Sequence, residues 1–223
     1  IVLGGFGDPC LHPRFGEVCH MLREAGAAAI AVRATALSDD GAVESALFET
    51  PLDIIEVTLD ADSATTYRLV HGVDAFDRVV ARIERWADLR VARSQVRPLV
   101  VPSFIKSTHT LHEMESFYDR WVRRVGMAVI RGYSHCAGQR EDYRVTSTAP
   151  LVRTGCRRIN SRLLVLANGC VATCDQDIRG KQTIGDLRKS SLNEIWSGGP
   201  LQQIREDWTK AALCPSCDEW HRP

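Results

Sequence analysis

The chain has 223 residues with 44% hydrophobic side chains, enough for one large domain or two modest ones around a real core. Its 28 basic residues balance 28 acidic ones, so the overall charge calls for neither a nucleic acid nor an anionic membrane surface. No transmembrane run and no signal peptide is read in it, and this charge-rich composition is the one expected of a cytoplasmic protein with reduced thiols.

Residues 1–3 read as a short buried strand that runs into Gly4-Gly5-Phe6-Gly7-Asp8-Pro9. Leu11-His12-Pro13 then turns into a helix with Phe15, Val18, Cys19 and Leu22 on one face and Gly26 as its stop, which makes Cys19 a small core residue. The second strand is expected at 28–32, a short helix at 43–48 and the third strand at 54–59. After Gly72 comes an amphipathic helix with Phe76, Val79, Val80 and Ile83 inward. A fourth strand at 96–101, a helix at 111–125 carrying Met114, Phe117, Trp121 and Val125, and a fifth strand at 127–130 complete the alternation. Short apolar strands alternating with helices predict parallel β/α units, whose ligand site lies at the C-terminal ends of the strands.

That rule singles out Gly5, Gly7, Asp8 and Pro9 after the first strand, and Thr58 and Asp60 at the third. A glycine-rich strand end lets backbone approach a ligand closely. Asp60 reads equally well as a helix N-cap. Arg120, Arg123 and Arg124 read as the solvated face of a helix, and His109, His112 and His135 as isolated surface histidines rather than metal ligands.

Five of the eight cysteines fall in the last third, which makes that stretch the place to look for a metal. Cys156 stands at C-x17-C spacing from Cys174, and Cys214-Pro215-Ser216-Cys217 puts two sulfurs on one tight turn. Asn168-Gly169 is a tight-hairpin dipeptide that carries Cys174 back toward Cys156, so four thiolates are expected to converge on one point. Disulfides would need an oxidising compartment. By spacing alone the set suits zinc as well as an iron-sulfur cluster. Cys170 is left over as a strand-borne spectator. Ser191 and Glu194 predict a capping box, with Leu192, Ile195 and Trp196 on one helix face and the same spacing continuing through Leu201, Ile204 and Trp208.

The run Cys156-Arg157-Arg158-Ile159, then Leu163-Leu164-Val165-Leu166 leading into Asn168-Gly169-Cys170-Val171-Ala172-Thr173-Cys174-Asp175, resembles the SPASM or twitch auxiliary-cluster domain of radical S-adenosylmethionine (SAM) enzymes. Ile184-Gly185-Asp186-Leu187 and Ser191-Leu192-Asn193-Glu194-Ile195-Trp196 extend the resemblance, which covers 156–217. It implies that Cys156, Cys174, Cys214 and Cys217 hold one auxiliary [4Fe-4S] cluster. Upstream, Gly5-Phe6-Gly7-Asp8-Pro9 with Leu11-His12-Pro13 is similar to the family's G-x-G-E-P segment, with Asp for Glu. Val57-Thr58-Leu59-Asp60 is similar to its V-S-L-D motif, with Thr for Ser. The resemblance thus implies SAM contacts at Gly5, Gly7, Asp8, Pro9, Thr58 and Asp60. The chain departs from the family where Thr-Asn-Gly is usual, showing Arg33-Ala34-Thr35-Ala36-Leu37, and the family's C-x3-C-x2-C does not occur.

The resulting expectation is an α/β chain: a partial (β/α)6 TIM-like barrel, strands two to six, over 1–150, then a small cysteine-rich SPASM/twitch domain over 151–223. The family's first strand and the loop for a second [4Fe-4S] cluster are expected upstream of Ile1, leaving this chain inactive alone. As the family implies, the whole enzyme cleaves SAM to a 5′-deoxyadenosyl radical that abstracts hydrogen from a peptide or protein side chain, or from a small molecule. Its reductant is a flavodoxin or ferredoxin, and neither nucleic acid nor membrane is a partner. The alternative is a non-catalytic α/β binding protein stapled by structural zinc on the same four cysteines.

Overall fold

The computed structural model describes residues 1–5 and 7–222. Phe6, inside the glycine-rich segment, and Pro223 lie outside the described residues. The chain divides into two compact units, Ile1–Tyr133 and Ser134–Pro223.

In the first unit, strands β1 (Val2–Leu3), β2 (Ala31–Ala34), β3 (Ile54–Thr58), β4 (Leu99–Lys106) and β5 (Val129–Gly132) pair in parallel in their chain order. The crossovers carry α1 (Phe15–Glu24), α2 (Gly41–Glu49), α3 (Ala64–His71), α4 (Phe76–Ala92) and α5 (Met114–Val125). Right-handed crossovers between sequential strands all return on one side of the sheet, and this is the topology of a β/α barrel arc. The side-chain period of two then decides what each face carries. Val32, Ala34, Ile55, Val57, Val100 and Phe104 join Phe15, Leu47, Tyr67, Ile83, Phe117 and Trp121 from the helices in one core. The alternate positions hold charge: Glu56 on β3 accepts from Arg131 Nε on β5 at 2.9 Å and lies 3.6 Å from Arg33 Nε on β2.

Several boundaries differ from the sequence reading. The fourth strand, expected at 96–101, begins at Leu99 and runs to Lys106, while Val96 is exposed. Pro102 discourages reading a strand onward, because proline donates nothing to a ladder. It is tolerated because β4 residues alternate sides: Leu99 N–H donates to Asp53 and Ser103 O accepts from Leu59, both toward β3. Pro102 therefore turns its nitrogen toward β5, where pairing starts only at Ser103 with Val129. Asp60 is not a helix N-cap either; Ser63 caps α3, its hydroxyl accepting from Thr66 N–H at 3.2 Å.

The second unit has a three-stranded antiparallel sheet, β6 (Leu164–Val165), β7 (Cys170–Ala172) and β8 (Thr183–Asp186), followed by α6 (Leu192–Ser197) and α7 (Gly199–Glu206). Its apolar cluster is small, with Val171, Ile184, Ile195 and Leu201 buried. Gly185 is what lets α6 approach β8, since a Cβ there would stand 2.6 Å from Ile195. The Ser191–Glu194 capping box forms as expected. The continuous helical spacing through Trp208 does not become one helix: Gly198 is extended, Pro200 starts α7, and Trp208 lies in a separate 3-10 turn. Proline at a first turn and glycine before it favour a restart over continuation.

Candidate functional site

Cys156, Cys174, Cys214 and Cys217 line one pocket, open to solvent, within the second unit. They come from three separately fixed segments. Cys174 follows β7, and the hairpin before it is closed by Leu166 N–H donating to Cys170 O at 2.9 Å, with Gly169 at φ 81°. Cys214 and Cys217 end one 3-10 turn, Cys217 N–H donating to Cys214 O at 3.1 Å. Cys156 is held through its carbonyl, which accepts from Asn160 Nδ2 at 3.1 Å. All four cysteines are part of the wall of that pocket. Among the described residues no three His, Cys, Asp or Glu side chains form a group that could hold a single metal ion.

Burial pushes the Cys174 thiol up to about 12 and the Cys217 thiol up to about 11, and raises Cys214 as well. The thiolates also oppose one another: Cys217 and Cys214 act on Cys174, and Cys156 acts on both Cys214 and Cys217. Bound iron would relieve that repulsion, with proton release as the thiols ionise. Four thiols in one pocket wall are a donor set that fits an iron-sulfur cluster. Cys170 is not in that wall; it pairs with Asp186 across β7 and β8.

The wall contains residues that the sequence reading passed over, among them Arg153, Arg158 and Gln182. Arg158 is buried and neutralised, donating to Asp175 at 2.6 and 2.8 Å and to Glu219 at 3.1 Å. The signal for it was present, since Arg158 follows one ligand candidate by two positions and Asp175 adjoins another. Gln182 Oε1 accepts from Leu213 N–H at 3.2 Å, tying the β8 approach to the cysteine turn. Arg153 had no such signal. His135 corrects the surface-histidine reading: it is buried, Nδ1 accepts from Gly138 N–H at 2.6 Å, and Nε2 lies 3.4 Å from Asp218.

In the first unit, the candidate residues gather at the C-terminal ends of the strands. Asp8 bridges two of these loops, accepting from Cys10 N–H at 3.0 Å, Thr35 N–H at 2.8 Å and Thr35 Oγ1 at 2.6 Å. Thr35, the departure from the family pattern, is thus the partner of the Asp that replaces Glu. Gly5 has φ 140°, and a Cβ at Gly5 or Gly7 would meet no atom within 4 Å, so the loop backbone is open. Pro9 starts the 3-10 turn that Asp8 caps. Asp60 is buried at φ 56°, a left-handed conformation that costs a non-glycine residue energy and clusters at functional sites. Its carboxylate accepts from Ile105 N–H at 2.7 Å, with His71 Nε2 at 3.7 Å, while Thr58 ends β3 half-buried.

Residues 156–218 match SPASM, an iron-sulfur cluster-binding domain. Among solved structures, Streptococcus suis SuiB bound to precursor peptide SuiA is similar with a TM-score of 0.70 and 13% identity, over 95% of this chain and 57% of that one. The chain has the radical SAM partial-barrel fold and carries a SPASM domain. The radical SAM enzyme BtrN, in complex with AdoMet and 2-DOIA, gives a TM-score of 0.57 with 15% identity, over 98% of this chain and 72% of that one. An uncharacterized protein of Treponema pallidum (strain Nichols) is 27% identical over 232 residues, 99% of this chain and 64% of that protein. The chain thus spans less than two thirds of SuiB and of the Treponema protein. The SPASM match spans the stretch that carries all four cavity cysteines, and Cys170 with them.

Proposed function

We propose that this is a radical SAM enzyme whose SPASM domain, residues 151–223, holds one auxiliary [4Fe-4S] cluster on Cys156, Cys174, Cys214 and Cys217. The observation that carries this reading is the single cavity bounded by all four cysteines and enclosed by the SPASM match. By donor type the four thiols suit zinc as well; what favours a multi-iron core is the match to an iron-sulfur cluster-binding domain over the same stretch. When bound, SAM and its reducing cluster supply hydrogen abstraction, and the auxiliary cluster accepts an electron from substrate or orients it.

On the barrel side, residues 1–150, the protein's own contribution is position. Gly5, Gly7 and Pro9 present backbone to SAM, and Thr58 and Asp60 bound the same strand ends. Asp8 fixes its loop through Cys10 and Thr35, and its carboxylate at the strand ends is the group that would meet an ammonium. We assign the substrate to the class of peptide or protein side chains. The likeness to SuiB, whose structure contains a precursor peptide, supports this, as does the Arg33–Glu56–Arg131 network on the sheet face away from the core. A flavodoxin or ferredoxin is the reductant, and the setting is cytoplasmic. No helix among the described residues is long and apolar enough to cross a membrane. The 223 residues contain no C-x3-C-x2-C, so the SAM-cleaving cluster is not held by them, and the chain alone is expected to be inactive.

Anaerobic reconstitution should load about four irons and four sulfides per chain, as four-cysteine cubane ligation requires. Alanine at Cys156, Cys174, Cys214 or Cys217 should abolish loading, and Cys170→Ala should retain it. Stoichiometric colourless zinc with no sulfide, or loading that depends on Cys170 and not on Cys156, would overturn the assignment.

A further inference from the structure

Two cations line the four-cysteine cavity, and they are not equivalent. Arg158 has its charge met by Asp175 and Glu219, and of its donors Nε alone is buried without a hydrogen-bond partner among the described residues. Arg153 donates through Nη1 to the Cys214 carbonyl, while its Nε and Nη2 are shut off from solvent with no hydrogen-bond partner among the described residues. Buried guanidinium N–H groups without acceptors are costly, and native proteins rarely leave them so. The side chain is nonetheless fixed firmly. Its guanidinium lies 3.7 Å from the Trp208 ring centre and 5.7 Å from that of Trp220, a cation–π arrangement that holds a planar fork in one orientation.

The Nη1 bond of Arg153 to the Cys214 carbonyl and its place in the cavity wall put the guanidinium beside the turn that carries two of the four candidate ligands, Cys214 and Cys217. The missing acceptors and the missing counter-charge are both supplied if the cavity holds a thiolate-ligated cluster, whose net charge is negative. We infer that Arg153 is the tuning residue of the auxiliary site: its two unpartnered N–H groups donate to cluster or cysteine sulfur, and its charge raises the cluster's reduction potential. This rests on the cluster reading above and goes beyond it. Net charge and hydrogen bonds to sulfur are among the properties that set such potentials. Reduction adds one electron to an already anionic centre, so a buried adjacent cation stabilises the reduced form more than the oxidised form. A higher potential suits a cluster that takes an electron from substrate. Trp208 and Trp220 then have a function beyond packing, as the clamp that keeps the fork aimed at the cavity.

The test uses the reconstituted chain and its Arg153→Gln, Arg153→Lys and Arg157→Gln variants, each assayed for iron and sulfide and titrated electrochemically with EPR detection. Arg157 is exposed and adjoins Cys156, so it reports what a solvent-screened cation contributes. The expected result is full loading in all four. The potential of Arg153→Gln shifts to more negative values, Arg153→Lys falls between it and the wild type, and Arg157→Gln stays close to the wild type. Pulsed ENDOR on the wild type with 15N-labelled arginine should show exchangeable protons and nitrogen coupled to the cluster, lost in both Arg153 variants. A loaded Arg153→Gln with the wild-type potential overturns this inference and leaves the cluster reading intact. Should that variant fail to load, absence of the ENDOR coupling in the wild type overturns it. A wild-type chain that takes up no iron and sulfide overturns both.

Discussion

The two units are stabilised by different means. The first buries large apolar side chains on both its sheet and its helices, with Trp86, Trp121, Tyr67, Phe104 and Phe117 fully enclosed. The second, with 90 residues between Ser134 and Pro223, buries four residues in its apolar cluster, a few more such as Ile159 and Trp220 apart from it, and a comparable set of polar and charged groups: His135, Arg158, Thr173, Gln176, Asp177 and Glu219. Small domains that cannot bury enough apolar surface commonly depend on metals or disulfides, and metal binding free energy then becomes folding free energy. The lesson is that in the second unit the candidate site is walled largely by polar residues outside a small apolar cluster, so a bound iron-sulfur cluster would add cross-links that the apolar cluster does not provide, whereas in the first the core lies on the helix-covered face of the sheet and the site at the strand ends.

The largest expected effect comes from removing that coupling. Cys174→Ala in the full chain should abolish iron uptake and with it the stabilisation of the second unit by loading, while the first unit's transition is unchanged. Calorimetry with and without reconstitution checks this; a second unit equally stable without cluster would end the comparison. In the barrel unit, Trp121→Ala should cost about 3–5 kcal/mol by cavity formation, with cluster content unaffected. Denaturant titration followed by iron assay reads both. Next is Gly185→Ala, which forces a Cβ against three Ile195 atoms at 2.6–2.9 Å and should cost about 1–3 kcal/mol by overpacking. Ile195→Val in the same background should recover part of that loss, measured by the same titration.

The smallest effects are in pH dependence, and their signs oppose. Asp53 is resisted by burial, but Ile30 N–H, Arg23 and Arg97 outweigh it and hold its carboxyl below the usual range. Its contribution is present above the ordinary aspartate pKa and is lost as pH falls through the lowered one. Glu219 is the reverse: burial raises its carboxyl even though Arg222 and Arg158 pull it down. The folded second unit therefore binds the proton more tightly than the unfolded chain. Its stability falls as pH rises from the ordinary glutamate pKa through the raised one. Asp53→Asn should flatten the acid limb of the first unit's stability profile, and Glu219→Gln the rising-pH loss of the second. Two-transition thermal melts across mildly acidic pH separate them.

Read by itself, the sequence determined the alternation of strands and helices, the four cysteines as a set, Cys19 as core and Cys170 outside the cavity wall. Each of those follows from local period or spacing, which short-range geometry transmits directly. It placed the fourth strand wrongly at both ends, because the tolerance of Pro102 depends on which neighbour its nitrogen faces, a fact of sheet register. The spacing of Leu201, Ile204 and Trp208 suggested one continuous helix, and the Gly198–Pro200 break decided otherwise. Tertiary structure alone decided that Thr35 holds Asp8 and that His135 is buried. Above all it brought Arg153 beside the cysteine turn, where its guanidinium stacks on Trp208 and meets Cys214, 61 positions along the chain. Periodicity constrains neighbours within a turn or a strand; contacts closed over that distance are fixed by packing, which no local pattern encodes.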